Sequence, residues 1–191
     1  MEILNILEKI NCPTRQFRKD EILFHEGDAC RSIFVVKNGS IAIRSYTLQG
    51  NEVVYNRIQV GEMFGNNLVF DDDNLFRGDV VALEDALIFV LSRDLFVELL
   101  QSNKTFLELY LSMQSKIMKM RQQTIKLLSL KNAEERFLFY LQSQRGTIRF
   151  KNISELAKHL QVERETLSRL ISRLEKRHQI RRLSHIIELV D

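Results

Sequence analysis

Glycine is spread so unevenly along this chain that it divides the fold in two. Six of the seven glycines lie in the first 78 residues, and Gly27, Gly39, Gly50 and Gly61 recur every 11 or 12 positions. Between them stand short β-branched and aromatic runs, Ile33-Phe34-Val35-Val36, Ile41-Ala42-Ile43 and Val53-Val54-Tyr55, with Leu87-Ile88-Phe89-Val90 further on. Short strands separated by turn glycines at regular spacing predict an antiparallel sandwich, roll or barrel. Ile3, Ile6 or Leu7, and Ile10 fall at helical spacing, so a short helix is expected ahead of the strands.

Between Gly78 and Gly146 there is no glycine, and from Ser92 the apolar period becomes helical. Phe106, Tyr110, Met113, Ile117, Met120, Thr124 and Leu127 alternate steps of four and three, a heptad seam. A helix of about 25 residues spans roughly 38 Å. That is longer than a domain of this size needs to cover its own sheet, and it favours a parallel helix pair between two subunits over a helix packed only on its own domain. Met113, Met120 and Thr124 would make such a seam adaptable.

Ser129–Asn132 reads as a hinge, with a second, smaller domain beyond it. Ala133–Gln144 is an amphipathic helix offering Phe137, Leu138, Tyr140 and Leu141 to a core, and Thr147–Phe150 is a short strand. Asn152 then opens a helix with Glu155 three residues on, the spacing of a capping box. That helix turns at Gln161-Val162 into another from about Glu163 to Lys176, and Ile180–Val190 reads as two strands around Ser184-His185. The pattern is a winged helix-turn-helix.

On the second of these helices Leu167, Leu170, Ile171 and Leu174 form the stripe at i, i+3, i+4 and i+7, and Arg164, Glu165, Ser168 and Arg169 share the opposite face. Those side chains suit major-groove reading. Arginine offers two parallel donors to guanine O6 and N7, glutamate accepts from cytosine N4, and serine serves either base edge. A glutamate among phosphates is costly unless a cytosine amino group or a neighbouring arginine compensates it, so Glu165 argues for base readout over nonspecific charge. The competing reading is a helix face laid against another protein.

Charge agrees. The net charge of +3 is small, but from Asn132 onward 12 Lys/Arg stand against 8 Asp/Glu, leaving 16 against 17 before it. A basic C-terminal end fits a polyanion. With 45% hydrophobic and 28% charged residues in 191, the chain is too apolar for disorder and holds one large or two small domains. No charge-free run approaches the roughly 18 residues of a membrane span, and the acids in MEILNILEKINC are unlike a secretory leader, so a cytoplasmic protein without membrane contact is expected. Cys12 and Cys30 lack metal-site spacing and read as ordinary thiols. No nucleophile with a neighbouring base, no paired catalytic carboxylates and no phosphate-cradling glycine loop is legible, so no enzyme is expected.

At this point the chain resembles the CRP/FNR family of bacterial transcription regulators. The resemblance rests on Phe24-His25-Glu26-Gly27-Asp28, on Phe34-Val35-Val36-Lys37-Asn38-Gly39-Ser40-Ile41 and on Gly61-Glu62-Met63-Phe64-Gly65, which look like the family's cyclic-nucleotide-binding β-roll. The long helix is similar to its dimer helix. Arg164-Glu165-Thr166 with Arg169, followed by Leu170-Ile171-Ser172-Arg173-Leu174-Glu175-Lys176, is similar to its recognition helix. The resemblance implies an α+β chain: an N-terminal antiparallel β-roll over residues 1–100, a long dimerisation helix and hinge over 101–131, and a C-terminal winged helix-turn-helix over 132–191. It implies a homodimer on double-stranded DNA, with Arg164, Glu165, Ser168, Arg169 and Arg173 at a palindromic site with a TGA-like core, and RNA polymerase as a partner.

The departures from that family are specific. Gln161 stands where the turn normally has glycine, which places a non-glycine residue in a left-handed conformation at a cost of about 1 kcal/mol. Glu163 stands at the usual Ser/Thr cap. In the implied effector pocket of Gly65, Asn66, Arg77, Gln122, Gln123 and Thr124, Asn66 replaces the glutamate for a ribose, and Arg77 is followed by Gly78 where a small hydroxyl is usual. Asp71, Asp72, Asp73 and Asp79 surround Arg77 in sequence and would neutralise it. Regulation independent of cyclic AMP is therefore expected. The alternative is a sensor whose β-roll takes a cyclic nucleotide or another metabolite to control DNA binding. No N-terminal cysteine cluster stands ready for an iron–sulfur centre, and His25, His159, His178 and His185 are scattered, so no cofactor or metal is expected.

Overall fold

The computed structural model describes residues 2–190, and the chain folds as two compact units, Met1–Ser112 and Met113–Asp191. The first begins with α1 (Glu2–Lys9), whose Ile3 and Leu7 are buried. Eight strands follow: β1 (Thr14–Phe17), β2 (Ile22–Phe24), β3 (Ser32–Asn38), β4 (Ile41–Tyr46), β5 (Glu52–Ile58), β6 (Met63–Phe64), β7 (Asp79–Ala82) and β8 (Ala86–Ser92). They form two antiparallel four-stranded sheets, in the orders β1-β8-β3-β6 and β2-β7-β4-β5. The apolar runs that mark strands in the sequence are the central pairings: Ile33 opposite Leu91 and Val36 opposite Ile88 in one sheet, Ile41 opposite Ala82 in the other.

Both sheets contribute to one core, where Phe34, Val36, Phe64 and Ile88 meet Ile41, Ile58, Val80 and Ala82. Two glycines are needed for their backbone. At Gly39, with φ +79°, a Cβ would lie 2.5 Å from the Asp85 carbonyl, and at Gly65, with φ +80°, one would lie 2.7 Å from the Ser32 carbonyl.

The helical stretch after β8 is broken once. Ser92 Oγ caps α2 (Arg93–Ser102) by accepting from the Leu95 N–H at 3.2 Å. Asn103 then ends α2 in an extended conformation, and its Oδ1 accepts from the Phe106 N–H at 3.0 Å to start α3 (Lys104–Ser129). The 26 residues of α3 match the expected long helix, whereas the break at Asn103 has no counterpart in the apolar periodicity.

In the second unit α4 (Ala133–Ser143), β9 (Thr147–Arg149), α5 (Ile153–Leu160), α6 (Arg164–Lys176), β10 (Ile180–Leu183) and β11 (Ile186–Leu189) follow in order. The strands form a small antiparallel sheet, β10-β11-β9. Phe137 and Leu141 from α4, Leu156 and Leu160 from α5, and Leu167, Leu170, Ile171 and Leu174 from α6 make the core with Ile148, Ile180 and Ile187 of the sheet. Leu127 belongs to this core as well. Of the predicted capping box, the Asn152 half is formed: its Oδ1 accepts from the Glu155 N–H at 2.8 Å. Antiparallel sheets, the long helix and the winged helix-turn-helix make the architecture α+β, as the sequence predicts. Among the described residues no helix is long and apolar enough to cross a membrane.

Candidate nucleic-acid interface

The apolar spacing of α6 buries Leu167, Leu170, Ile171 and Leu174, which leaves Arg164, Glu165, Ser168, Arg169 and Arg173 exposed together on the remaining surface. Two local features set how α6 is presented. Gln161 adopts φ 54°, ψ 47°, the left-handed conformation that a glycine would take without strain, and it ends α5. Arg136 of α4 holds that turn, donating from Nη1 to the Gln161 carbonyl at 2.9 Å and from Nε to the Leu130 carbonyl at 3.1 Å. Glu163 occupies the cap of α6 and makes no side-chain capping bond there, so the first N–H groups of α6 lack a side-chain acceptor at that position.

The face continues beyond the residues singled out from the sequence. Ser168, Ser172 and Lys176 form one row at i, i+4 and i+8, Arg169, Arg173 and Arg177 a second beside it, and the two rows line an open groove of about 420 Å³. The same periodicity that marked Ser168 and Arg169 could have extended the assignment to Ser172, Lys176 and Arg177. Among the described residues Arg164, Arg169, Lys176 and Arg177 form no salt bridge, whereas Arg173 is held by Glu134 of α4 at 2.6 Å. A second, larger groove of about 740 Å³ lies between β9, α5 and the β10–β11 turn. Arg149, Lys151 and His185 line it, and the Phe150 N–H donates to the His185 carbonyl at 3.0 Å, tying the wing turn to the end of β9. The sequence predicts the wing strands but not this pairing.

The chain itself covers both ends of the predicted seam of α3. Phe106 is fully buried against Phe96, with ring centroids 5.8 Å apart, and Tyr110 meets the same ring at 5.2 Å. Leu127 is buried in the core of the second unit. Neither Phe106 nor Leu127 has surface left for a partner. Met113 and Ile117 are half-buried, Met120 and Thr124 are exposed, and the Thr124 hydroxyl donates back to the Met120 carbonyl at 3.1 Å. The large apolar side chains most open to solvent on this helix are Leu111, Met118, Met120 and Ile125, with Leu128 next. Leu111, Met118 and Ile125 stand one heptad apart and Leu128 three residues on, a stripe displaced by one residue from the predicted seam.

The expected effector residues of the β-roll differ in burial and pairing. Gly65 is buried, and the chain after it turns through residues 66–70 without making a helix, the Leu68 and Val69 N–H groups both donating to the Gly65 carbonyl at 3.0 Å. Asn66 is half-buried. Arg77 is exposed and paired with Asp73 at 2.6 Å. Asp79 is turned elsewhere: its Oδ1 accepts from the Glu26 N–H at 2.9 Å and stands 3.6 Å from His25 Nδ1. Inside the roll Phe76, Phe24, Phe34 and Phe64 form a column, with successive centroids 4.6, 5.0 and 4.8 Å apart. Gln122 is exposed and Gln123 half-buried on α3.

Burial pushes the thiols of Cys12 and Cys30 above their ordinary range, which keeps them protonated and unreactive at neutral pH. Among the described residues no group of three or more His, Cys, Asp and Glu side chains gathers where it could hold a metal ion.

Residues 14–103 match the family model of the cyclic nucleotide-binding domain. The chain is 28% identical over 184 residues to the fumarate and nitrate reduction regulatory protein of Vibrio cholerae, covering 91% of this chain and 73% of that one. Its fold is shared with the catabolite activator protein of Thermus thermophilus, at TM-score 0.56 and 21% identity, over 100% of this chain and 91% of that one. It is shared also with a CooA mutant from Carboxydothermus hydrogenoformans, at TM-score 0.64 and 20% identity, over 100% and 91%. With the match to the cyclic nucleotide-binding domain, a regulator relative along nine-tenths of its length and the common fold, this chain is similar to regulators of the CRP/FNR family.

Proposed function

We propose that this chain is a homodimeric, sequence-specific DNA-binding regulator of transcription that does not depend on cyclic AMP. One observation carries the reading: α6 buries its apolar stripe completely and leaves Arg164, Glu165, Ser168 and Arg169 together in solvent, with neither arginine in a salt bridge among the described residues. Arg164 and Arg169 would take guanines and Glu165 a cytosine amino group, one set in each half of a palindrome with a TGA-like core. Arg149, Lys151 and His185 would flank the helix on the duplex backbone. The work divides into an effector-like domain over 1–100, a dimerising helix and hinge over 101–131 and a DNA-binding domain over 132–191. RNA polymerase is the expected protein partner and the cytoplasm the expected compartment.

Two observations support independence from cyclic AMP. A phenylalanine column lies inside the roll, and Arg77, the candidate phosphate anchor, is paired with Asp73. Dimerisation along α3 is supported by the exposed stripe of Leu111, Met118, Ile125 and Leu128, with Met120 beside it.

Selection from a randomised duplex pool by the purified protein, with no nucleotide added, tests the proposal. It should enrich a palindrome whose half-site centres lie about 10–11 base pairs apart, one turn of DNA. Enrichment of no sequence, or of single half-sites only, would refute the sequence-specific dimer.

A further inference from the structure

Of the four cations lining the groove on α6, Arg173 alone among the described residues is held by a carboxylate, that of Glu134 at 2.6 Å. Two acids stand in the first turn of α4, where the helix dipole favours them, and they are used differently. Glu135 serves the turn itself: its Oε2 accepts from the Lys131 N–H at 3.1 Å and its Oε1 from the Asn132 side-chain amide at 2.8 Å. Glu134 turns instead to a helix that begins 30 residues further along the chain. The Arg173 side chain is 53% exposed and that of Glu134 35%, so the pair stays within reach of water and can exchange partners, unlike a buried bridge.

We propose that Glu134 is a built-in competitor for DNA phosphate, which occupies Arg173 and withholds one backbone contact from any duplex the protein meets. The inference rests on the DNA-binding reading of α6. A free arginine that neutralises a phosphate releases a condensed cation, and that release makes binding salt-dependent. An arginine leaving Glu134 for a phosphate frees a carboxylate beside the DNA, and that carboxylate recruits a cation again. The exchange therefore adds little affinity and almost no salt dependence. Lys176 and Arg177, with no carboxylate to leave among the described residues, keep the full effect. Glu134 thus lowers the sequence-independent share of binding without touching the base-reading part of the helix, where Arg164, Glu165 and Arg169 stand.

Anisotropy titrations of the full chain against a scrambled duplex and the selected site, between about 50 and 200 mM salt, test this. Glu134→Gln keeps the size of the side chain and leaves Glu135 at the turn. It should bind both duplexes several-fold more tightly at low salt, with the slope of log affinity against log salt steeper by about 0.9 for each protomer. Arg173→Gln should leave the wild-type slope nearly unchanged, and should return the Glu134→Gln slope to the wild-type value. A pair that only stabilises the fold gives the opposite pattern: both single variants melt at lower temperature and neither binds more tightly, which would overturn the inference. A wild-type chain that selects no duplex would sink the DNA-binding reading itself, whereas selective binding with an unchanged Glu134→Gln slope would remove Glu134 alone from the account.

Discussion

In the β-roll, Arg77 is closed by Asp73, Arg44 by Glu52 at 2.9 Å and Asp79 by the Glu26 N–H, while four phenylalanine rings occupy the interior. On α6 Arg164, Arg169, Lys176 and Arg177 meet no carboxylate among the described residues, and the apolar side chains lie wholly beneath them. The roll pairs these particular charges internally, whereas α6 leaves four cations facing solvent. Around these groups the β-roll is the more closed and α6 the more open. The difference predicts that damage to the roll reads out in stability and damage to the face of α6 in binding.

The largest effect should come from Phe76→Ala. Phe76 is 2% exposed and stacks on Phe24 at an interplanar angle of 14°, so its loss opens a cavity and should cost about 3–5 kcal/mol in denaturant unfolding. A cost below about 1 kcal/mol would show a loosely packed interior and weaken the contrast.

An aspartate on α3 should have the next largest effect. If the exposed stripe meets a second copy, Ile125→Asp buries two like charges across the pair, costs on the order of 3 kcal/mol and should give monomer in sedimentation, with specific DNA binding falling too. Ile117→Asp, at a half-buried position of the predicted seam, should disturb association less and the protomer's own stability more. The reverse outcome would restore the predicted register.

The burial of Phe106 and Leu127 shows where sequence reasoning stops. The α6 stripe was legible because a single helix carries both its faces within a few residues, and turn chemistry was legible for the same reason: Gln161 is left-handed and Glu163 makes no cap, as expected. On α3 apolar residues occupy two adjacent faces. Phe106 and Leu127 continue the heptad in sequence because their own units bury them, and nothing local separates a residue covered by its own chain from one left open. The phenylalanine column joins residues 24, 34, 64 and 76, and the Glu134–Arg173 pair joins positions 39 apart; such pairings follow from topology, which a single sequence does not display. The strands were found, but what their inward faces enclose was not.

Arg169→Ala comes third. The Arg169 side chain is exposed, its one hydrogen bond among the described residues runs 3.4 Å from Nε to the Glu165 carbonyl, and its removal should leave unfolding within about 0.5 kcal/mol of wild type. Binding should tell the other half of the contrast, with about 1–3 kcal/mol lost on the selected site, much less on scrambled DNA, and discrimination gone at one guanine of each half. Equal losses on both duplexes would make Arg169 a phosphate contact and move base reading toward Arg164 and Glu165.

The smallest effect is expected from cyclic AMP. A nucleotide entering the roll at the phenylalanine column would displace rings packed 4.6 to 5.0 Å apart, and to hold its phosphate Arg77 would leave Asp73, an exchange of one anion for another that gains little in water. Titration calorimetry should therefore show no saturable heat at micromolar nucleotide, and the affinity for the selected duplex should not move. Asp73→Asn frees the arginine but leaves the phenylalanine column in place, so it should not create binding either, which separates the two obstacles. Micromolar binding by the wild type with a tenfold gain in DNA affinity, about 1.4 kcal/mol of coupling, would mean that the column opens for a ligand. The roll would then be the responsive half of the molecule, and the contrast with α6 would describe only its resting state.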